Sequence, residues 1–194
     1  MGLPTVFIRL TGCPLRCNYC DTAYAFSGGE LMDIQVILEK VKEFECRHVC
    51  VTGGEPLAQP DCITLLKQLC DEGYQVSIET SGARSIEPID PRVMIVMDLK
   101  TPDSGESIKN MMNNIPLLKK TDQIKFVLCG RNDYEWACQI MHEYQLDKQT
   151  QVLFSPSWED LTPTTLADWI VKDKINVRFQ VQLHKILWND TPGH

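Results

Sequence analysis

Thr5-Val6-Phe7-Ile8-Arg9-Leu10-Thr11-Gly12-Cys13-Pro14-Leu15-Arg16-Cys17-Asn18-Tyr19-Cys20 is the stretch whose reading decides the fold of this chain. Thr5 to Leu10 is mostly apolar and β-branched and reads as a strand. Residues 13 to 20 then carry three cysteines in a Cys-x3-Cys-x2-Cys run. A strand that empties into a ligand-rich loop fits an open parallel α/β sheet, where ligands gather at the carboxyl ends of the strands.

Outward from that loop the same rhythm repeats. Asp33 to Phe44 reads as a helix with Ile34, Ile37, Leu38 and Val41 on one face, and His48 to Thr52 as the next strand. Asp61 is placed to cap a helix carrying Ile63, Leu66 and Leu69, which Gly73 ends. Gln75 to Thr80, Val93 to Leu99, Ile124 to Cys129 and Val152 to Phe154 read as strands, and Val177 to Leu183 as the last one. Helices are expected over Asp133 to Tyr144, with Trp136, Ile140 and Met141 inward, and over Thr162 to Lys172, with Pro163 in the first turn. A tail, His184 to His194, follows. The alternation predicts an α/β fold with a mostly parallel sheet. Seven or so strands suit a partial, open β/α barrel better than a closed eight-stranded one. The whole chain, 1–194, is expected to be one such domain.

Composition narrows the function. With 43% hydrophobic and 23% charged residues the 194-residue chain is ordinary globular protein. No apolar run reaches about 18 residues, so no transmembrane helix is expected. The first ten residues lack the pattern of a signal peptide, which predicts a cytoplasmic protein. A net charge of -7 argues against broad nucleic-acid binding. Nine cysteines are an odd number and too few for a disulfide scaffold, so metal binding or chemistry is the better use for them.

Thiolates at the density of Cys13, Cys17 and Cys20 select zinc or an iron–sulfur cluster. A structural zinc needs four closed ligands. A 4Fe–4S cluster held by three thiolates keeps one iron open to an outside ligand. Spacing alone leaves both readings standing. The other six cysteines read as core and surface fillers.

The polar residues that follow the strands share one edge: Thr11-Gly12-Cys13, Thr52-Gly53-Gly54-Glu55, Glu79-Thr80-Ser81-Gly82 and Asp98-Leu99-Lys100. Together with the cysteine run and Tyr19, the Gly53-Gly54-Glu55-Pro56 segment resembles the radical S-adenosylmethionine (SAM) superfamily. Arg9-Leu10-Thr11-Gly12-Cys13, Cys20-Asp21-Thr22, Glu79-Thr80-Ser81-Gly82 and Gln182-Leu183-His184-Lys185 narrow the resemblance to its 7-carboxy-7-deazaguanine synthase family, which serves queuosine biosynthesis.

That resemblance implies a partial β/α barrel of the radical SAM type. It implies a 4Fe–4S cluster on Cys13, Cys17 and Cys20, with SAM on the open iron. Tyr19, Cys20, Asp21, Gly54, Glu55, Glu79, Ser81, Asp98, Leu99 and Lys100 become SAM contacts, and Ser155 to Ser157 border them. Glycines 53 and 54 would let backbone approach the methionine end of SAM, and Glu55 would accept a hydrogen bond from its amino group. Thr22 becomes a ligand of Mg²⁺, which keeps waters and substrate oxygens around it. Arg9, Thr52 and His184 become contacts of a pterin substrate, Arg9 as the partner of its carboxylate. No side chain is marked as an acid or base. The resemblance further implies a homodimer and a reductant such as flavodoxin or ferredoxin, with no nucleic-acid or membrane partner.

Two departures stand out. The family's segment ahead of the first strand, which helps hold substrate, is expected to be missing before Met1-Gly2-Leu3-Pro4. The stretch Ala23 to Leu31 is short, which predicts a thinner lid over the cluster. A glycyl-radical-enzyme activase and a zinc-binding structural module are the competing readings.

Overall fold

The computed structural model describes residues 2–189 and 191. Its elements run β1 (Thr5–Leu10), α1 (Ile34–Glu43), β2 (His48–Gly53), α2 (Cys62–Asp71), β3 (Gln75–Thr80), β4 (Met94–Asp98), β5 (Gln123–Leu128), α3 (Arg131–Glu143), α4 (Leu146–Gln149), β6 (Gln151–Pro156), α5 (Pro163–Asp173), β7 (Arg178–Phe179) and α6 (Leu183–Trp188). The seven strands form one sheet in the order β1 to β7, and every neighbouring pair is parallel. The sheet stays open between β1 and β7, as a partial barrel does.

Strand periodicity separates two faces. On β5, Ile124, Phe126 and Leu128 are fully buried, whereas Gln123, Lys125 and Val127 between them are half-buried. The buried set joins Tyr134, Ala137 and Ile140 of α3 in the core, and Phe126, Phe154, Tyr134 and Trp169 stack edge to face. Parallel register then carries the opposite face from strand to strand: Arg9 stands beside Thr52, Cys50 beside Ser77, Glu79 beside Val96, and Asp98 beside Lys125. One face is therefore an oily floor under helices, and the other is a charged wall.

Helix ends follow from local chemistry. Gly73, with φ at 86°, ends α2 while the Tyr74 and Gly73 amides donate to the Leu69 and Cys70 carbonyls, a Schellman arrangement. Pro163 opens α5 behind Thr162, whose hydroxyl accepts from the Thr165 amide at 3.2 Å. Asp61 occupies the cap position of α2 without a side-chain cap bond.

Three expectations are corrected. The last strand shrinks from Val177–Leu183 to Arg178–Phe179, because Gln180 makes a final ladder bond to Phe154 and the chain then leaves the edge. The expected tail contains a helix, α6, in which Leu183, Ile186 and Leu187 recur at helical spacing. Residues 1, 190 and 192–194 lie outside the described residues. Asp133 was placed at a helix start, but α3 begins at Arg131 and Asp133 is wholly buried. Its carboxylate accepts from the Thr101 hydroxyl and from the Asp103 and Cys129 amides, so it ties α3 to the turns after β4 and β5.

Candidate active site

The cysteine loop leaves β1 at Leu10 and doubles back over the turn after β2. The Gly54 amide donates to the Leu10 carbonyl at 3.1 Å and the Glu55 amide to the Gly12 carbonyl at 2.9 Å. This contact explains the paired glycines. A Cβ on Gly53 would lie 2.1 Å from the Leu10 carbonyl oxygen, and one on Gly54 would lie 2.4 Å from the Gly12 oxygen and 2.7 Å from Cys13 Cβ. The glycines are required first by the approach of two backbones, whatever else they later admit.

Cys13, Cys17 and Cys20 are free, half-buried thiols on this one loop. Burial pushes the Cys13 and Cys17 thiols up from their ordinary range. A hydrogen bond from the Cys20 amide to the Cys17 carbonyl, 3.2 Å, sets the turn between the second and third cysteines. Among the described residues no three His, Cys, Asp or Glu side chains already stand in metal-ligating geometry. The donor set fits an iron–sulfur cluster with one open corner: three thiols in eight residues, none engaged in a disulfide. Cys62 and Cys70 sit in the core, and Cys46 donates to the Pro4 carbonyl.

The loop is buttressed from outside. The Arg16 amide donates to Glu106 Oε1 at 2.6 Å, Lys109 Nζ to the Pro14 carbonyl at 2.9 Å, and Asn18 Nδ2 to the Asp103 carbonyl at 2.9 Å. The short segment after it folds back as the 3-10 turn Ala23–Phe26, whose Ala25 carbonyl accepts from the Gly12 amide. Arg16 lies over the Phe26 ring at 4.2 Å.

Glu55 is fully buried, and its two oxygens take four donors. Oε1 accepts from the Leu57 amide at 3.0 Å and the Thr80 hydroxyl at 2.8 Å; Oε2 accepts from the Ser81 amide at 2.7 Å and from the Ser81 hydroxyl. A carboxylate has about four lone-pair positions, so Glu55 is saturated by the protein. It locks the turn after β3 to the turn after β2. Ser81 is committed to the same lock, and the Leu99 side chain is core.

Asp98 ends β4 on the charged wall, and Lys100 follows two residues later. Lys100 Nζ lies 3.1 Å from Asp98 Oδ2 and 5.7 Å from the Tyr19 ring centre. Lys125 of β5 reaches the same Oδ2 at 3.6 Å. Burial pushes the Asp98 carboxyl up, but Lys100 and Lys125 outweigh it and hold it below the usual carboxylate range. Burial likewise works to lower Lys100 and Lys125, and the carboxylates around them more than reverse it. Asp98 Oδ1 and the Tyr19 hydroxyl are buried with no hydrogen-bond partner among the described residues. An orphaned buried acceptor costs about 1–3 kcal/mol, so a polar ligand is the natural occupant beside it. A cleft of about 840 Å³ adjoins, lined by Asn18, Tyr19, Pro102, Asp103, Cys129, Glu159 and Asp160.

Arg9 and Thr52 face the same side in register, Arg9 donating to the Gly53 carbonyl at 3.3 Å beneath the Tyr24 ring. Thr22 Oγ1 lies 3.9 Å from Cys20 Sγ. His184 is half-buried in α6. The segment ahead of His184 is brought to the cysteine loop by one bond, Gln182 Nε2 to Asp21 Oδ2 at 2.6 Å. Two residues of the wall escaped the sequence reading. Lys125 is one; its signal is a lysine set between Ile124 and Phe126, on the half-buried face of β5. Asn110 is the other: it clamps Lys100 by accepting from its amide and donating to its carbonyl, at 2.9 and 2.8 Å. Nothing in its local sequence marks it.

The comparisons agree with this geometry. The model of the radical SAM superfamily matches residues 7–145. Solved structures of Streptococcus suis SuiB share the fold: the one bound to precursor peptide SuiA has a TM-score of 0.67 at 17% identity over 93% of this chain. The one bound to S-adenosylmethionine has a TM-score of 0.62 at 18% identity. The chain spans about half the length of either, 48% and 50%. Fold, cysteine loop and match together make the chain a radical SAM enzyme. Proteins named 7-carboxy-7-deazaguanine synthase from Chlorobaculum tepidum and Clostridium acetobutylicum are 39% and 40% identical to it, each over 97% of this chain, and over 87% and 89% of their own lengths. The chain belongs to the 7-carboxy-7-deazaguanine synthase family. No helix among the described residues is long and apolar enough to cross a membrane.

Proposed function

We propose that the chain converts 6-carboxy-5,6,7,8-tetrahydropterin to 7-carboxy-7-deazaguanine with release of ammonia, a step toward the 7-deazapurine queuosine of tRNA. The observation that carries this reading is the cysteine loop of β1 packed on the Gly53–Gly54–Glu55 turn, beside a wall that presents Arg9 and Thr52 in register. When bound, the 4Fe–4S cluster and SAM supply one-electron cleavage and the radical that starts ring contraction.

The residues of this chain bind, orient and exclude water. Cys13, Cys17 and Cys20 would hold the cluster through three thiolates. Asp98 Oδ1, which has no donor among the described residues, would meet a hydroxyl or ammonium of SAM, with Lys100, Glu79, Tyr19, Asp21 and the Gly54 backbone bordering it. Glu55 and Ser81 serve the cofactor by holding the turn, since their polar atoms already bond each other. The Leu99 side chain is core, so its part falls to backbone. Arg9 is the cation for the pterin carboxylate, with Thr52 and His184 on the ring system. Thr22 supplies one oxygen to Mg²⁺, and water and substrate supply the rest. The exposed apolar residues Leu183, Ile186 and Leu187 on α6 support a homodimer. A flavodoxin- or ferredoxin-like reductant and a cytoplasmic location complete the proposal.

The test is anaerobic incubation of the reconstituted chain with SAM, a low-potential reductant, Mg²⁺ and the carboxytetrahydropterin. Conversion to the deazaguanine acid with release of ammonia is expected. Cleavage of SAM without that product would overturn the substrate. A chain that binds zinc at the three cysteines and never cleaves SAM would overturn the chemistry.

A further inference from the structure

Asp98 Oδ2 carries two half-buried ammonium groups, while among the described residues Oδ1 carries none. One lysine would neutralise the carboxylate, so the second calls for an explanation. A buried ammonium without compensation costs several kcal/mol. Lys125 is only 19% exposed and Lys100 only 13%. The explanation lies in the wall as a whole. Glu79, Asp98, Lys100 and Lys125 bring two negative and two positive charges to adjacent strand ends, and the field of Glu79 acts on Lys125 as that of Asp98 does. Lys125 thus pairs with Asp98 across β4 and β5 while lying in the field of Glu79 on β3, and among the described residues Asp98 is gripped by one oxygen alone. That grip fixes which oxygen is left over.

We infer that Lys125 is a positioning residue of the SAM site: by holding Asp98 Oδ2 from β5 it keeps Oδ1 presented as an open acceptor for a hydroxyl or ammonium donor of the bound nucleotide. The inference rests on the reading of Asp98 as a cofactor contact. Without Lys125 the carboxylate is held by Lys100 alone, either oxygen serves that pair, and Glu79 loses its neighbouring cation.

The experiment is calorimetric SAM binding to the anaerobically cluster-reconstituted chain, with iron content and melting temperature recorded for each variant. Lys125→Met is expected to weaken SAM binding about tenfold, the scale of one charged hydrogen bond, with iron content unchanged. Lys125→Arg restores most of the affinity, because a guanidinium reaches the same oxygen. Lys125→Met combined with Asp98→Asn binds no more weakly than Asp98→Asn alone, because both act on one contact. If Lys125→Met loses iron or melts early, Lys125→Gln replaces it under the same criteria. Parent-like SAM affinity in the Lys125 variants beside a weakened Asp98→Asn overturns the role of Lys125. Parent-like affinity in Asp98→Asn overturns the cofactor role of Asp98 and the inference with it. Strictly additive losses in the double variant also overturn it, since Lys125 would then act elsewhere.

Discussion

Glu55 and Ser81 are joined twice, the carboxylate Oε2 accepting from both the amide and the hydroxyl of the serine. The pair stitches the turn after β2 to the turn after β3, its two residues 26 positions apart in sequence. Glu55→Ala strands four donors, three of them buried. Even after relaxation the loss is about 3 kcal/mol. In a chain of this length that lowers the melting temperature by roughly 6–12 °C. Thermal unfolding monitored by circular dichroism reads it directly, and a variant within a degree of the parent would contradict the lock.

Gly54→Ala tests the seam between the cysteine loop and β2. Its Cβ would intrude on the Gly12 carbonyl and on Cys13 at once. Both neighbours belong to the loop, so the loop must shift. The expected result is a folded chain that takes up less than half the iron and sulfide of the parent after reconstitution. Gly73→Ala is the control. Its Cβ meets nothing within 4 Å among the described residues, so it disturbs only a left-handed helix end. That costs about 1 kcal/mol of stability and leaves metal uptake alone.

The first six strands and the four longer helices were legible because their apolar periods were undisturbed: Ile124, Phe126 and Leu128 alternate, and Leu38 and Val41 recur at helical spacing. The end of the chain was misread for a physical reason. Val177, Phe179, Val181 and Leu183 alternate like a strand, but only Arg178 and Phe179 find a ladder partner before Gln182 turns to Asp21. The cysteine loop and its glycines were visible as motifs. The saturation of Glu55 was not, because its donors come from Leu57, Thr80 and Ser81, and no local pattern says where a carboxylate two turns away will point. Lys125 was hidden likewise, since its meaning depends on β4 lying beside β5 in register.

Cys17→Ala removes the middle thiol of the loop. Two thiolates do not hold a cubane, so the visible iron–sulfur absorbance and SAM cleavage are both expected to vanish while the far-ultraviolet circular dichroism stays. Cys46→Ser provides the contrast. Its sulfur donates to the Pro4 carbonyl outside the loop, and a serine hydroxyl keeps that bond. Full cluster content is expected there. Retention of cluster and turnover by Cys17→Ala would sink the assignment of the loop.

A pH measurement isolates a pair outside the cysteine loop. Arg92 donates to both oxygens of Asp90 and reaches Asp71 at the end of α2. Hydrogen bonds from the Arg92 side chain and amide lower the Asp90 carboxyl to about 2. A carboxyl depressed on folding stabilises fully above its unfolded value near 4, and loses that contribution as pH falls through the folded value. Asp90→Asn should therefore melt below the parent at neutral pH, by at most about 2–4 °C because Arg92 is half-exposed. The gap should narrow between about pH 4 and pH 2 and close below. Melting curves of both proteins across that window decide it; a gap unchanged down to the acid end would mean that the side chain acts through shape and not through charge.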